Sequence, residues 1–358
     1  MKILIIVTTP FFIEKGSSMR VLEMVKALSG AGHKIDVVTY PVGKDPKIKG
    51  VKIHRVKSSY SSTKAGPSLG KIPVDMKLLK LAKELVSKKD YDVIQGEDTE
   101  GAFISSMIDF EGPRVYDCHN RMTEQMKLHK TYPLMPAAWV IEKIVFGKSD
   151  LVITNWAWTQ KYIKQAYPKK KTVLVYDSVN TEIKKPKLDL PENYIVYTGN
   201  FEGYQGTDLL IQAYQSSGLD IPLILVGPHS KQTIKRGRSK TIFVGRQSVE
   251  NTNYIIKNAM FAIIPRVHGR QPSMKIIHYL VHGKAILATD VPCNQELLKG
   301  NALFANANVK EFRVALRKLS KNQKLVRDLE SKAAKISPNL TTKKQEEKLL
   351  KAYSKLKY

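Results

Sequence analysis

Apolar residues in the first half of the chain follow two rhythms. Short, largely apolar runs at 3–8, 35–40, 51–56, 93–95, 114–117, 151–154 and 173–176 have the length and β-branched content of strands. Between them, apolar positions three and four residues apart predict helices over 18–31 and 74–87. Strands that are continuously apolar rather than alternating, separated by amphipathic helices, predict an α/β fold with parallel sheets. A second series begins at 194–198 and continues at 222–226, 241–244, 261–264 and 285–289. The polar segment 184–191, with prolines at 186 and 191, reads as a linker. The expected divisions are therefore residues 1–183, residues 190–338, and a Lys-rich terminal helix at 339–358 with Leu349, Leu350, Tyr353 and Leu356 on one side.

Both series open with a strand, a glycine-bearing loop and an amphipathic helix. Gly16, Ser17 and Ser18 precede Met19, Leu22, Val25 and Leu28, while Gly199 and Gly206 precede Leu209, Leu210 and Ala213. Two Rossmann-like units are implied. Later in the second series, Pro272 suits a first helical position, which places Lys275 in the first turn. A cation there opposes the helix dipole by roughly 0.3–1 kcal/mol, and the free N–H groups of the same turn also attract negative charge. A bound phosphate relieves both, whereas a solvated surface lysine needs no ligand. The buried apolar run 285–288, reached through Gly283, favours the nucleotide-binding reading.

Bulk properties narrow the class. With 358 residues and 42% hydrophobic content, the chain can bury two cores. No apolar run approaches the ~18 residues that span a bilayer, and the first strand lacks a small-residue cleavage site, so a cytoplasmic protein is expected. Cys118 and Cys293 show no metal-ligand spacing and are expected to be reduced thiols. The 59 Lys and Arg against 32 Asp and Glu leave a net charge of +27. That excess fits a solvated surface, an anionic membrane surface or nucleic acid, and no nucleic-acid recognition motif accompanies it.

With these segments in hand, the chain resembles the retaining glycosyltransferases of family 4, which have the GT-B fold of two facing Rossmann-like domains. The resemblance rests on Tyr197 to Leu210, on Pro265 to Tyr279 and on Gly283 to Asp290. It is supported by Gly16 to Arg20 and Gly32 to Tyr40. It implies that the C-terminal domain holds a nucleotide-diphosphate sugar, that the N-terminal domain presents a glycan or lipid-linked acceptor, and that reaction occurs in the cleft. It also implies that the C-terminal helix crosses back to the N-terminal domain. His119, Lys275 and Arg266 take the catalytic roles. Gly16, Gly199, Asn200, Gln205, Gly206, Gly245, Arg270, Pro272, Ser273 and His278 line the donor, and Glu100 and Ser17 meet the acceptor. No cofactor or metal ion is expected.

Two departures stand out. Asn200 and Gln205 occupy the loop where such enzymes often carry Arg and Lys, and Arg270 and His278 stand where many carry a glutamate pair. A rewired site in which Arg266, Arg270 and Lys275 supply positive charge is one reading. A non-catalytic nucleotide-sugar- or glycan-binding protein of the same fold is the other.

Rival roles remain for individual residues. His119 follows a strand and could instead be structural, and Asp117 either orients it or caps a turn. Glu97, Asp98 and Glu100 could bind acceptor hydroxyls or begin a helix. Gly16 to Ser18 could meet the donor or form an N-cap loop. Asp90-Tyr91-Asp92 has metal-site spacing but precedes its strand, at the end of the sheet away from the expected site. The apolar stretch 136–146, with Trp139 and flanking lysines, is a core helix or a membrane-docking one.

Overall fold

In the computed structural model, which describes residues 1–13, 16–62, 69–128, 131–228, 240–269 and 272–356, the apolar runs become two parallel sheets. The chain divides into two units: Met1–Asp177 with Gln345–Tyr358, and Ser178–Lys344. Residues 175–194 carry neither helix nor strand.

The first unit is built on β1 (Lys2–Val7), β2 (Lys34–Thr39), β3 (Val51–Arg55), β4 (Val93–Glu97), β5 (Arg114–Cys118), β6 (Leu151–Thr154) and β7 (Lys171–Leu174), in the order β3-β2-β1-β4-β5-β6-β7. Residues 3 to 7 of β1 are wholly buried because both faces are covered. Ile3, Ile5 and Val7 pack on one side with Val21, Val25 and Leu28 of the helix Gly16–Gly30. Leu4 and Ile6 pack on the other with Val74, Leu78 and Leu85 of the helix Ile72–Lys88. Burial of each such side chain contributes roughly 1.5–3 kcal/mol. Strand order reverses direction at β1, and a crevice outside the carboxyl ends of β1 and β4 is where ligands meet sheets of this kind.

The chain's last helix, Thr342–Tyr353, belongs to this unit through its tail. Leu349, Tyr353 and Leu356 are buried in the same core as β1. Gln345 Oε1 accepts the Tyr176 N–H at 2.9 Å, and the Tyr353 hydroxyl donates to Gln95 in β4.

The second unit holds β8 (Ile195–Thr198), β9 (Leu223–Val226), β10 (Thr241–Gly245), β11 (Ala262–Ile264), β12 (Ile286–Thr289) and β13 (Leu303–Ala305), ordered β10-β9-β8-β11-β12-β13. Its core joins Tyr197, Leu225, Ile263 and Leu287 to the helices Thr207–Gln215 and Val309–Lys321. The sequence did not predict β13, a three-residue strand, whereas the helix Asp98–Ser106 bears out the helix start that is one of the two readings of Glu97, Asp98 and Glu100. The run expected at 173–176 forms its strand two residues earlier. Among the described residues no helix is long and apolar enough to cross a membrane.

Candidate active site

The parallel register of β4 and β5 pairs Glu97 with Asp117 at their carboxyl ends, and His119 follows β5 directly. All three are buried. His119 Nε2 lies 2.7 Å from Asp117 Oδ2 and 3.0 Å from Glu97 Oε2, so one ring nitrogen is shared by two carboxylates. From the helix Gly16–Gly30, Arg20 grips Asp117 with Nε at 2.8 Å and Nη2 at 2.7 Å, and its Nη1 reaches Asp177 Oδ1 at 3.0 Å and the Val175 carbonyl at 2.9 Å. Such a bidentate pair is geometrically specific, and a buried charge needs the partners it has here.

Electrostatics then sort the group. Burial favours a neutral Asp117, yet Arg20 and His119 outweigh it and hold the carboxyl well below the usual range. Burial, together with the charge of Asp117, pushes Glu97 up to about 7. His119 is drawn the other way: burial disfavours its cation, but Asp98 and Asp117 raise it well above its ordinary value. Its two acidic neighbours thus favour the cationic form of the ring. Glu97, Asp117 and His119 bring ligand atoms within 4.8 Å of one another, the spacing of a metal site. Both Asp117 oxygens are already engaged by Arg20.

Two polar atoms here have no hydrogen-bond partner among the described residues, His119 Nδ1 and Asp98 Oδ1, although both are buried. Asp98 Oδ2 stands 3.5 Å from His119 Nδ1, and Asp98 adopts a left-handed backbone, φ 56°, unusual for a residue with a side chain. A donor beside an acceptor, both unspent, suits a hydroxyl group. Glu100 lies two residues further on, raised to about 7 by burial and by Asp98, and Lys71 counters that rise. Ser17 and Gly16 open the helix that carries Arg20, and the hydroxyl of the next residue, Ser18, accepts the Ile13 N–H at 3.0 Å. Asp92 accepts the Lys2 N–H at 2.6 Å at the opposite end of β1.

In the second unit, the helix Met274–Val281 has Ser273 as its N-cap residue. Pro272 is therefore outside the helix and not at its first position as the sequence suggested. Lys275 does fall in the first turn. It is buried, and Nζ donates to Gln205 Oε1 at 2.9 Å and sits 4.1 Å over the Tyr197 ring. A Cβ at Gly199 would come within 2.7 Å of that nitrogen, so Gly199, Gln205 and Lys275 form one cluster. Arg266 is also buried, 5.1 Å over the Tyr204 ring, with Nε donating to the His268 carbonyl at 3.1 Å. Neither cation has a carboxylate partner among the described residues. Burial, with Arg266 nearby, drives Lys275 well below its ordinary value.

The carboxyl ends of β8, β9 and β10 are bare backbone. Gly199, Gly227 and Gly245 all have left-handed φ, 134°, 145° and 69°, and a Cβ on Gly227 would fall 1.9 Å from the Gly199 carbonyl oxygen. Gly206, at φ 69°, packs so tightly that a Cβ would meet the Pro265 oxygen at 1.9 Å. Asn200 turns inward on its own loop, its Oδ1 accepting the Glu202 N–H at 3.3 Å. The Ser273 hydroxyl is buried without a hydrogen-bond partner among the described residues. His278 lies beside His282, and burial together with that neighbour lowers it to about 4. Arg270 lies outside the described residues.

Thus the structure gathers Gly199, Gln205, Gly206, Arg266 and Lys275 in one unit, and His119, Asp98 and Glu100 in the other. Arg20, Asp177 and Gly227 were missed. Arg20 was legible in principle, since it shares a helical stripe with the buried Met24 and Ala27.

This is the architecture of a GT-B glycosyltransferase. Residues 15–183 match the model for Glycosyltransferase Family 4 and residues 178–336 that for Glycosyl transferases group 1, and the chain belongs to the glycosyltransferases that these two models describe. No curated protein matches it significantly. Among solved structures, sucrose-phosphate synthase from Thermosynechococcus elongatus is similar over 99% of this chain and 98% of its own, with 16% identity and a TM-score of 0.81. HepE of Anabaena, solved in complex with UDP-glucose, covers 99% of both chains at 16% identity and a TM-score of 0.74. WaaG, a glycosyltransferase of lipopolysaccharide biosynthesis, covers 97% of this chain and 99% of its own at 13% identity and a TM-score of 0.70.

Proposed function

We propose that the protein is a retaining, metal-independent glycosyltransferase, acting in the cytoplasm, that moves a sugar from a nucleotide-diphosphate donor to a glycan or lipid-linked acceptor. One observation carries this reading: two buried cations, Lys275 and Arg266, without carboxylate partners, beside strand ends stripped to glycine. Buried charge left unpaired is costly, so the second unit is built for an anion, and a diphosphate supplies one that backbone can approach closely. The solved complex of HepE with UDP-glucose is consistent with a donor of that class.

The cations and the helix start at Ser273 stabilise charge that grows on the departing diphosphate, an electrostatic contribution of the kind that dominates many such reactions. In the first unit, the His119 ring and Asp98 offer one donor and one acceptor to a sugar hydroxyl. Asp117 is held by Arg20 and His119, and Glu97 by Gln95 and His119, so neither is free to serve as a nucleophile for double displacement. Front-face transfer follows: the bond from the anomeric carbon to phosphate breaks, the acceptor oxygen bonds on the same face, and its proton passes to the phosphate oxygen.

A second reading, a binding protein without catalysis, is favoured by Arg270 and His278 standing in place of a glutamate pair. Release of nucleoside diphosphate from UDP-, GDP- and ADP-sugars, with NMR of the product's anomeric configuration, separates the two. The transferase reading expects turnover with retention that His119→Ala abolishes. Tight donor binding without turnover would establish the binding protein.

A further inference from the structure

The helix Met135–Lys148 has the reverse of an ordinary surface pattern. Its inward side includes Ala138, Val145 and Phe146, but also Glu142, its one acid. Buried there, Glu142 accepts hydrogen bonds from Arg121 Nη2 at 2.8 Å and from the Thr123 N–H and hydroxyl at 2.8 Å each. The outward side carries Trp139, Val140 and Ile144, which are 58%, 50% and 37% exposed. The preceding turn adds Tyr132 at 58% and Leu134 at 37%. The charges on that outward side are two lysines, Lys143, 5.5 Å from the Trp139 ring, and Lys148. An apolar, aromatic face edged only by cations is therefore what this helix shows to its surroundings.

The charge pattern decides the occupant. A second copy of a chain with net charge +27 would bring like charges together, whereas an anionic surface with an apolar layer beneath it meets both features at once. We propose that this face docks the protein on an anionic lipid bilayer, with the helix lying in the plane of the interface. Trp139, Val140 and Ile144 enter the acyl boundary while Lys143 extends to the lipid phosphates, and Lys148, which donates to the Ser106 carbonyl at 3.1 Å, adds positive charge at the edge of the face. The proposal goes beyond the transfer reaction and does not depend on the donor site.

The test uses the full chain with vesicles of phosphatidylglycerol and phosphatidylcholine, and with phosphatidylcholine alone. Of the three tryptophans Trp139 is exposed, Trp156 buried and Trp158 half-buried, so emission and quenching with brominated lipid are read as the difference between the native chain and the Trp139→Glu variant. Docking predicts co-sedimentation with the anionic vesicles, a blue shift, and quenching. Trp139→Glu and Ile144→Glu each lower partitioning by about tenfold or more. A Lys143→Glu, Lys148→Glu variant loses the preference for anionic lipid. Unchanged melting temperature and nucleoside diphosphate binding in these variants show that folding and the donor site are intact. The proposal is overturned by absence of vesicle binding, or by binding that leaves Trp139 emission and the Trp139→Glu variant unaffected. A concentration-dependent dimer dispersed by Trp139→Glu, without vesicle binding, would assign the face to self-association instead.

Discussion

Single buried charges define this molecule's chemistry. Arg20 and Asp117 are tied by two short hydrogen bonds with no solvent to take over if one is lost. Asp117→Asn leaves a buried guanidinium undercompensated, and chemical denaturation should show a loss of about 3–5 kcal/mol. Lys275 makes a different prediction, because the partner proposed for it is a ligand. Free, its ammonium is held well below the ordinary range by burial and by Arg266, and a bound diphosphate raises it again. The complex then holds more protons than the free protein in the window between the two values, so affinity must fall as pH rises through that window. Calorimetry in buffers of different ionisation enthalpy should register proton uptake on nucleotide binding, and Lys275→Met should abolish it. Lys275 was readable in the sequence because a helix start and a cation share one short segment. The partnership of Arg20 with Asp117 was not, since 97 residues separate them and only the fold brings them together.

At the level of elements, glycine sets how closely backbone can approach backbone. In the first unit a Cβ on Gly96 would fall 2.3 Å from Ala102 Cα, and one on Gly101 would fall 2.6 Å from the Ile6 oxygen, so the helix Asp98–Ser106 lies directly on β1 and β4. In the sequence this helix is one of two readings: acids at its start suit a helix N-terminus, but they suit ligand hydroxyls equally, and the glycine inside it lowers helix propensity in favour of close packing. The long apolar strands were legible because burial on both faces leaves no polar position, whereas β13 is too short and too closely flanked by Asn301 and Asn306 to show a period. Gly206 offers the sharpest test at this scale. Gly206→Ala adds a methyl against the Pro265 oxygen at a left-handed φ, and thermal or denaturant melts should show about 1–3 kcal/mol of destabilisation along with weaker nucleotide binding.

For the whole molecule, the tail completes the first unit's core. Tyr353 is wholly buried and hydrogen-bonded to Gln95, which in turn donates to Glu97. Tyr353→Ala should cost about 3–5 kcal/mol and disturb the His119 cluster as well, which hydrogen exchange across β4 and β5 would reveal. The amphipathic side of this helix was plain in the sequence. Its destination came only from the family resemblance, because periodicity shows that a face is buried and not what covers it. The central claim is that the buried cations of the second unit, which have no carboxylate partner among the described residues, bind a nucleoside diphosphate. Thermal unfolding in the presence of UDP, GDP, ADP and their sugars tests it most directly, since a ligand at a hundred times its dissociation constant stabilises the fold by about 2.7 kcal/mol. We expect at least one of these nucleotides to stabilise the native protein, and Lys275→Met to melt higher than the native protein when free yet gain nothing from that nucleotide. A native protein indifferent to every nucleotide, or a Lys275→Met variant stabilised as much as the native one, would contradict the account.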